Sequence, residues 1–107
     1  MAAAAEASRL LGARASQRRS AANGGAVEGA VAKVYATEAL LRGSGALLDA
    51  TGTAGLLPAG VPGAAADGEL QHLYREAQIA TLYGGTSEVL RGVIAERGLG
   101  LPRTRSK

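Results

Sequence analysis

The sequence predicts an all-α fold, a partial helical bundle of about four helices, on three observations. Apolar residues recur at spacings of three, four and seven along the chain, no segment alternates apolar and polar residues with a period of two, and the glycines and prolines gather mainly between the striped stretches. Helices that each carry one apolar stripe are stable when they bury it against one another, which is what a bundle does.

From residue 2 to about residue 22, the alanines, Leu10 and Leu11, and the polar set Arg14, Gln17 and Arg18 predict a first helix, since alanine has the highest intrinsic helix propensity. Asn23-Gly24-Gly25 ends it as a left-handed cap or turn. Val27, Ala30, Val31, Val34, Leu41 and Leu48 then form one long stripe, predicting a second helix over residues 26–50. Gly43 and Gly45 either weaken that helix or let another approach it closely.

Between residues 51 and 67, Gly52, Gly55, Pro58, Gly60, Pro62 and Gly63 are too dense for a helix or a central strand, so this is a connecting loop, with Leu56 and Leu57 packing part of it down. Asp67 is placed to cap a third helix whose buried face is Leu70, Leu73, Tyr74, Ala77, Ala80 and Thr81, with Glu69, Arg75, Glu76 and Gln78 outward. Gly84-Gly85 ends it. A short helix starts at Thr86 with Val89, Leu90, Val93 and Ile94 inward and Glu88, Arg91 and Glu96 outside, and it closes before Gly98-Leu99-Gly100-Leu101-Pro102.

Composition bounds what such a fold can do. The chain has 107 residues, 47% of them apolar, but many are alanines, and Tyr35, Tyr74 and Tyr83 are the only aromatics, so the core is expected to be thin and the chain to be a piece of something larger or an obligate subunit. The net charge of +3 sits near the ends, in Arg14, Arg18 and Arg19 and in Arg103, Arg105 and Lys107, without interleaved aromatics, so nucleic acid is not the expected partner. The absence of cysteine excludes disulfides, thiolate metal sites and cysteine nucleophiles, and fits a cytoplasmic setting. The alanine-rich start has no basic segment leading into an apolar run, so no signal peptide is expected, and no run approaches the ~18 apolar residues of a membrane span. Lone His72 cannot build a metal site, and Lys33, Tyr35, Arg91 and His72 read as bundle surface or interface side chains, Arg91 with Glu88 within pairing distance at i,i+3.

One segment points to a chemistry. Gly84-Gly85 followed by Thr86, Ser87 and Glu88 sets a helix start between two striped helices, where backbone amides and hydroxyls can meet an anion or a polar ring without a bulky side chain intervening. The same residues also read as helix punctuation, Gly85 as turn and Thr86 as cap.

A longer pattern weighs on that choice. Tyr83-Gly84-Gly85-Thr86-Ser87-Glu88-Val89-Leu90-Arg91, then Ile94-Ala95-Glu96-Arg97 and Leu99-Gly100-Leu101-Pro102-Arg103, resembles the carboxy-terminal signature of acyl-CoA dehydrogenases. The upstream Arg75 to Tyr83 and Ala32-Lys33-Val34-Tyr35-Ala36-Thr37-Glu38 are similar to the family's preceding bundle helices, and Asp49-Ala50-Thr51-Gly52-Thr53-Ala54-Gly55 stands where the family has a Gln-x-x-Gly-Gly-x-Gly loop. The resemblance implies three segments: residues 1–25 as a loosely matched helix and turn, residues 26–103 as the last part of the family's helical bundle, and residues 104–107 as a basic tail. It implies FAD as cofactor, an acyl-CoA thioester as substrate, and a homo- or hetero-oligomer with acyl-CoA dehydrogenase subunits. Family members are several times longer, so the amino-terminal helical domain, the β-domain and the first bundle helices are expected outside this sequence.

The family reaction is α,β-desaturation, in which a carboxylate takes the α-proton and the β-hydrogen leaves as hydride to flavin. A base for that step works at hydrogen-bond reach in desolvated surroundings. In many members it is a glutamate directly after the signature tyrosine; here that position is Gly84, so no catalytic residue is assigned, and Glu88 is the substitute to weigh. By resemblance, Thr86, Ser87 and Glu88 contact FAD and the backbone of Gly85 lies along the thioester. Asp49, Gly52 and Thr53 fall on a loop that contacts the adenine-pyrophosphate part of a neighbouring subunit's FAD, but Asp49 replaces the family's glutamine, Thr53 replaces its second glycine, and a carboxylate repels a pyrophosphate, so a glycine helix stop at Gly52 competes. Two functions follow: a contributor to an FAD-dependent acyl-CoA dehydrogenase, inactive alone, or a non-catalytic helical oligomerisation module or remnant of that family.

Overall fold

The computed structural model describes residues 1–20 and 25–103, and every regular element within them is helical. Asn23-Gly24 and the tail from residue 104 lie outside the described residues. In order come α1 (Ala2–Arg19), α2 (Ala26–Thr51), the single turn α3 (Thr53–Leu56), α4 (Glu69–Ala80) and α5 (Ser87–Val93), which runs on into a π-helical turn, Ile94–Gly98. The all-α class and the main helices stand as the sequence predicts.

The long helix α2 is the hub, with α1, α4 and α5 all packed on it. Its stripe carries it through Gly43 and Gly45 without a break, and both glycines sit at approaches: a Cβ on Gly45 would lie 3.7 Å from the ring of Tyr74 on α4, and one on Gly43 3.2 Å from the methyl end of Met1. On α4 the expected face is the buried one, with Ala77 and Ala80 fully covered and Leu70, Leu73, Tyr74 and Thr81 half-buried. Val89 departs from expectation. It is 60% exposed, because α5 leans on α2 through Leu90, Val93 and Ile94 and a residue one step before Leu90 is rotated about 100° off that line.

The segment expected to be all loop contains the α3 turn, and it packs through buried Gly55 rather than through Leu56, which is exposed; Leu57 is half-buried. Its far end is tightly wound. Ala66 and Asp67 both take left-handed backbone, with φ of 48° and 49°, and Asp67 does not cap α4: its Oδ1 accepts from the Gly60 N–H at 3.2 Å, closing the loop on itself. Gly68 precedes α4 instead, at φ 84°, and a Cβ there would overlap the backbone of Pro58 and Ala59, so only glycine fits.

Among the described residues the buried apolar ones are Ala15, Ala30, Val34, Ala77 and Ala80, a core of small side chains as composition implies. The Cα radius of gyration is 17.2 Å, with extents of 53 × 37 × 19 Å, whereas a self-contained domain of this length has ~13 Å. The helices form an open layer around α2 rather than a closed bundle. None of the described helices is long and apolar enough to cross a membrane.

Candidate functional site

The signature segment is a turn held from several sides. After α4 the Tyr83 N–H donates to Ile79 O at 3.2 Å, and Gly84 and Gly85 then take φ of 67° and 99°, which reverses the chain. Thr86 caps α5: its Oγ1 accepts from the Val89 N–H at 3.2 Å while its carbonyl accepts from the Leu90 N–H at 3.0 Å. The Ser87 N–H reaches back to Thr81 O at 3.2 Å. The turn is therefore less open to an anion than the sequence implies, since the Ser87 and Val89 amides are already engaged.

Two charged side chains of α2 fasten this turn and α5. The Lys33 ammonium, half-buried, donates to the carbonyl of Gly85 at 2.7 Å. Five residues on, Glu38 receives the Arg91 guanidinium, with Nη2 at 2.7 Å from Oε1 and 2.8 Å from Oε2, and Arg42 lies 3.8 Å from the same carboxylate. Arg91 thus pairs across helices with Glu38 rather than along α5 with Glu88. Between α2, the end of α4 and α5 lies an open cleft of about 330 Å³, lined by Glu38, Arg42, Thr81, Leu82, Ser87 and Glu88 among others.

The family of the acyl-CoA dehydrogenase C-terminal domain matches residues 1–99. The chain belongs to the acyl-CoA dehydrogenase family. Acyl-CoA dehydrogenase FadE26 of Mycobacterium tuberculosis is 38% identical over 76 residues, which cover 71% of this chain and 19% of FadE26. Acyl-CoA dehydrogenase IpdE1 of Mycolicibacterium smegmatis is 54% identical over 35 residues, 33% of this chain and 9% of IpdE1. Among solved structures, the Tcur3481–Tcur3483 steroid ACAD superposes with a TM-score of 0.83 and 32% identity over 95% of this chain and 27% of the matched one. The ChsE4–ChsE5 complex from Mycobacterium tuberculosis gives 0.83 and 33% over 95% and 26%. This sequence therefore spans 19% of the length of FadE26 and about a quarter of each matched structure's chain.

Gly84, the residue directly after Tyr83, has nothing within 4 Å of where a Cβ would stand, so its place is open as well as bare. Glu88 is exposed, in the first turn of α5, where a carboxylate offsets the helix dipole. Ser87 is 6% exposed and its Oγ is buried with no hydrogen-bond partner, an orphan hydroxyl on a cleft-lining residue. The Thr86 hydroxyl, which only accepts in its cap, keeps a proton to donate. A hydroxyl in want of a partner, a second with a free proton and a glycine turn without side chains fit a flavin cofactor's polar oxygens in kind.

Asp49, Gly52 and Thr53 are not brought to this turn. Asp49 lies in the last turn of α2, about 16 Å along the axis from Glu38. Gly52 caps α2, its N–H on Leu48 O at 2.9 Å, and Asp49 and Gly52 line a separate open cleft of about 460 Å³ with Gly45, Leu48, Leu56 and Tyr74. The helix stop at Gly52 is real, and a second locus on it is separate from the first. No group of three or more potential metal ligands occurs among the described residues. Lys33 and Glu38 are what sequence reasoning missed as fasteners of the turn, because their partners stand 52 and 53 residues away, beyond any local pattern.

Proposed function

We propose that this chain contributes part of the FAD and acyl-thioester face of an acyl-CoA dehydrogenase that is completed by further acyl-CoA dehydrogenase polypeptide, and that the proton-abstracting carboxylate comes from elsewhere in that assembly. The observation that carries this reading is Gly84: the family's base position is a left-handed glycine in open space, while the neighbouring cofactor positions Thr86 and Ser87 keep hydroxyls able to bond. Thr86 and Ser87 would bond FAD through their hydroxyls, with Glu88 on the same side, and the Gly85 backbone would lie along the thioester. When bound, FAD supplies the hydride acceptor for the β-hydrogen. Glu88 is assigned to the cofactor side rather than to the base, because it is exposed and a base for an α-proton works in desolvated surroundings.

The open layer around a core of alanines supports assembly with further polypeptide. The Tcur3481–Tcur3483 steroid ACAD and the ChsE4–ChsE5 complex each pair two proteins, which supports a second dehydrogenase chain as the partner, and the steroid ACAD supports a bulky polycyclic acyl thioester over a straight chain. The test is co-production with candidate acyl-CoA dehydrogenase partners. A yellow complex that retains FAD and desaturates steroid-type acyl-CoA with an electron acceptor is the expected result; complexes that retain no flavin with any partner would falsify the reading. Gly84 also favours a second function, a non-catalytic oligomerisation module, which predicts assembly without flavin.

A further inference from the structure

We infer that Lys33 is a positioning residue, whose ammonium sets the orientation of the Gly85–Thr86 peptide in the signature turn. This inference rests on the function proposed above for its bearing on cofactor and thioester, but the positioning itself stands on geometry.

Gly84 and Gly85 are adjacent residues with positive φ, and glycine rotates with little steric restraint. No atom lies within 4 Å of the Cβ position at Gly84, so packing does not hold that side of the turn. The Thr86 cap and the Leu90 side chain against Gly85 restrain the far end of the pair, but the Gly84 side has no such support. The Lys33 Nζ at 2.7 Å from Gly85 O supplies what packing does not, a charge-assisted hydrogen bond from a half-buried side chain on the longest and most contacted helix.

The consequence lies on the other face of the same peptide. Among the described residues no peptide bond is cis, and a planar trans unit points its N–H opposite to its C=O. With the Gly85 carbonyl drawn onto α2, the Thr86 N–H points away from that contact. A full flip of this peptide is closed to it, since Thr86 at φ −62° is β-branched and would be driven to positive φ, so what Lys33 sets is the tilt of the Gly85 carbonyl against α2. Lys33 touches neither cofactor nor substrate in this account; it acts through the peptide. A lysine in the second helix thereby anchors the carbonyl of a turn 52 residues further on.

The test compares the full chain with Lys33→Met and Lys33→Arg, reading helicity by circular dichroism and the Gly85 and Thr86 amide resonances by NMR. The expected result is that Lys33→Met keeps its helicity but displaces and broadens those two resonances, and that Lys33→Arg, which retains a donor, restores them. Unchanged resonances in Lys33→Met overturn the inference. So do retained helicity with still-displaced resonances in Lys33→Arg, and loss of helicity in both variants, which would make Lys33 a stability residue. In an FAD-retaining complex, Lys33→Met is expected to weaken FAD retention about tenfold, the scale of one charge-assisted hydrogen bond, with recovery in Lys33→Arg. If the wild-type complex takes up no FAD, the proposed function fails while the NMR comparison still decides the role of Lys33.

Discussion

Arg91 Nη2 lies 2.7 Å from one carboxylate oxygen of Glu38 and 2.8 Å from the other, tying α5 to α2. The Arg91 side chain is 56% exposed and that of Glu38 23%, so solvent screening holds the pair to about 0.5–1 kcal/mol. Because Glu38 also lies 3.8 Å from Arg42, removing the acid costs two interactions and removing Arg91 only one. Glu38→Gln is therefore expected to destabilise more than Arg91→Met. A urea double-mutant cycle should return a coupling of about 0.5–1 kcal/mol that shrinks in high salt, and no coupling at low salt would refute the clamp.

Gly84 and Gly85 both have positive φ but differ in their surroundings. Gly84→Ala meets open space and should cost only the left-handed strain, about 1 kcal/mol, whereas a Cβ on Gly85 would stand 3.1 Å from Leu90 Cδ2 and push it. Gly85→Ala is expected to be the worse by roughly 1 kcal/mol in denaturant midpoints. Equal costs would mean that Leu90 gives way freely.

Ser87→Ala separates stability from function. Deleting a buried hydroxyl that has no partner should leave the free chain as stable or up to about 1 kcal/mol more stable. The same change should weaken FAD retention in the assembled enzyme several-fold, since the hydroxyl is one of the proposed cofactor contacts. Thermal melts and flavin titration read the two effects apart, and a destabilised free chain would show that Ser87 Oγ has a structural partner.

At Gly68 a Cβ would enter the backbone of Ala59, which cannot yield as a side-chain end can. Gly68→Ala is expected to cost about 3 kcal/mol or more and to reduce α4 helicity by circular dichroism. A near-neutral result would mean that residues 58–59 are free to move away from α4.

On α1, Arg9 donates to Glu6 from Nε at 2.9 Å and Nη2 at 2.7 Å, and this holds the Glu6 carboxyl below its ordinary value. A lowered acid stabilises the fold above the unfolded carboxylate's range, and that contribution is lost as pH falls through the lowered value. Acid titration should show a small, late loss of helicity that Glu6→Gln abolishes; the same curve in both proteins would exclude the pair as its source.

Much of this fold is legible locally. The stripe from Val27 to Leu48, the face of α4 from Leu70 to Thr81 and the cap at Thr86 all follow from 3.6-residue periodicity and cap chemistry, which involve neighbours a few residues apart. The same local reasoning misplaced Asp67, Val89 and the partner of Arg91. Asp67 has the right chemistry for a cap, but the loop closes back on Gly60 and uses its carboxylate there. Val89 belongs to the stripe by spacing, yet a seven-residue helix touches its neighbour along a narrower line than the stripe it carries.

The sequence by itself determined an all-helical chain, its thin alanine core and, through the signature around Tyr83, its membership of the acyl-CoA dehydrogenase family. Only the tertiary structure decided that Lys33 holds the Gly85 carbonyl, that Glu38 rather than Glu88 receives Arg91, and that Asp49 and Gly52 stand well away from the turn. Helix propensity and periodicity are properties of short windows, whereas these relationships depend on how three helices cross α2, and a few ångströms at each crossing decide which polar groups meet.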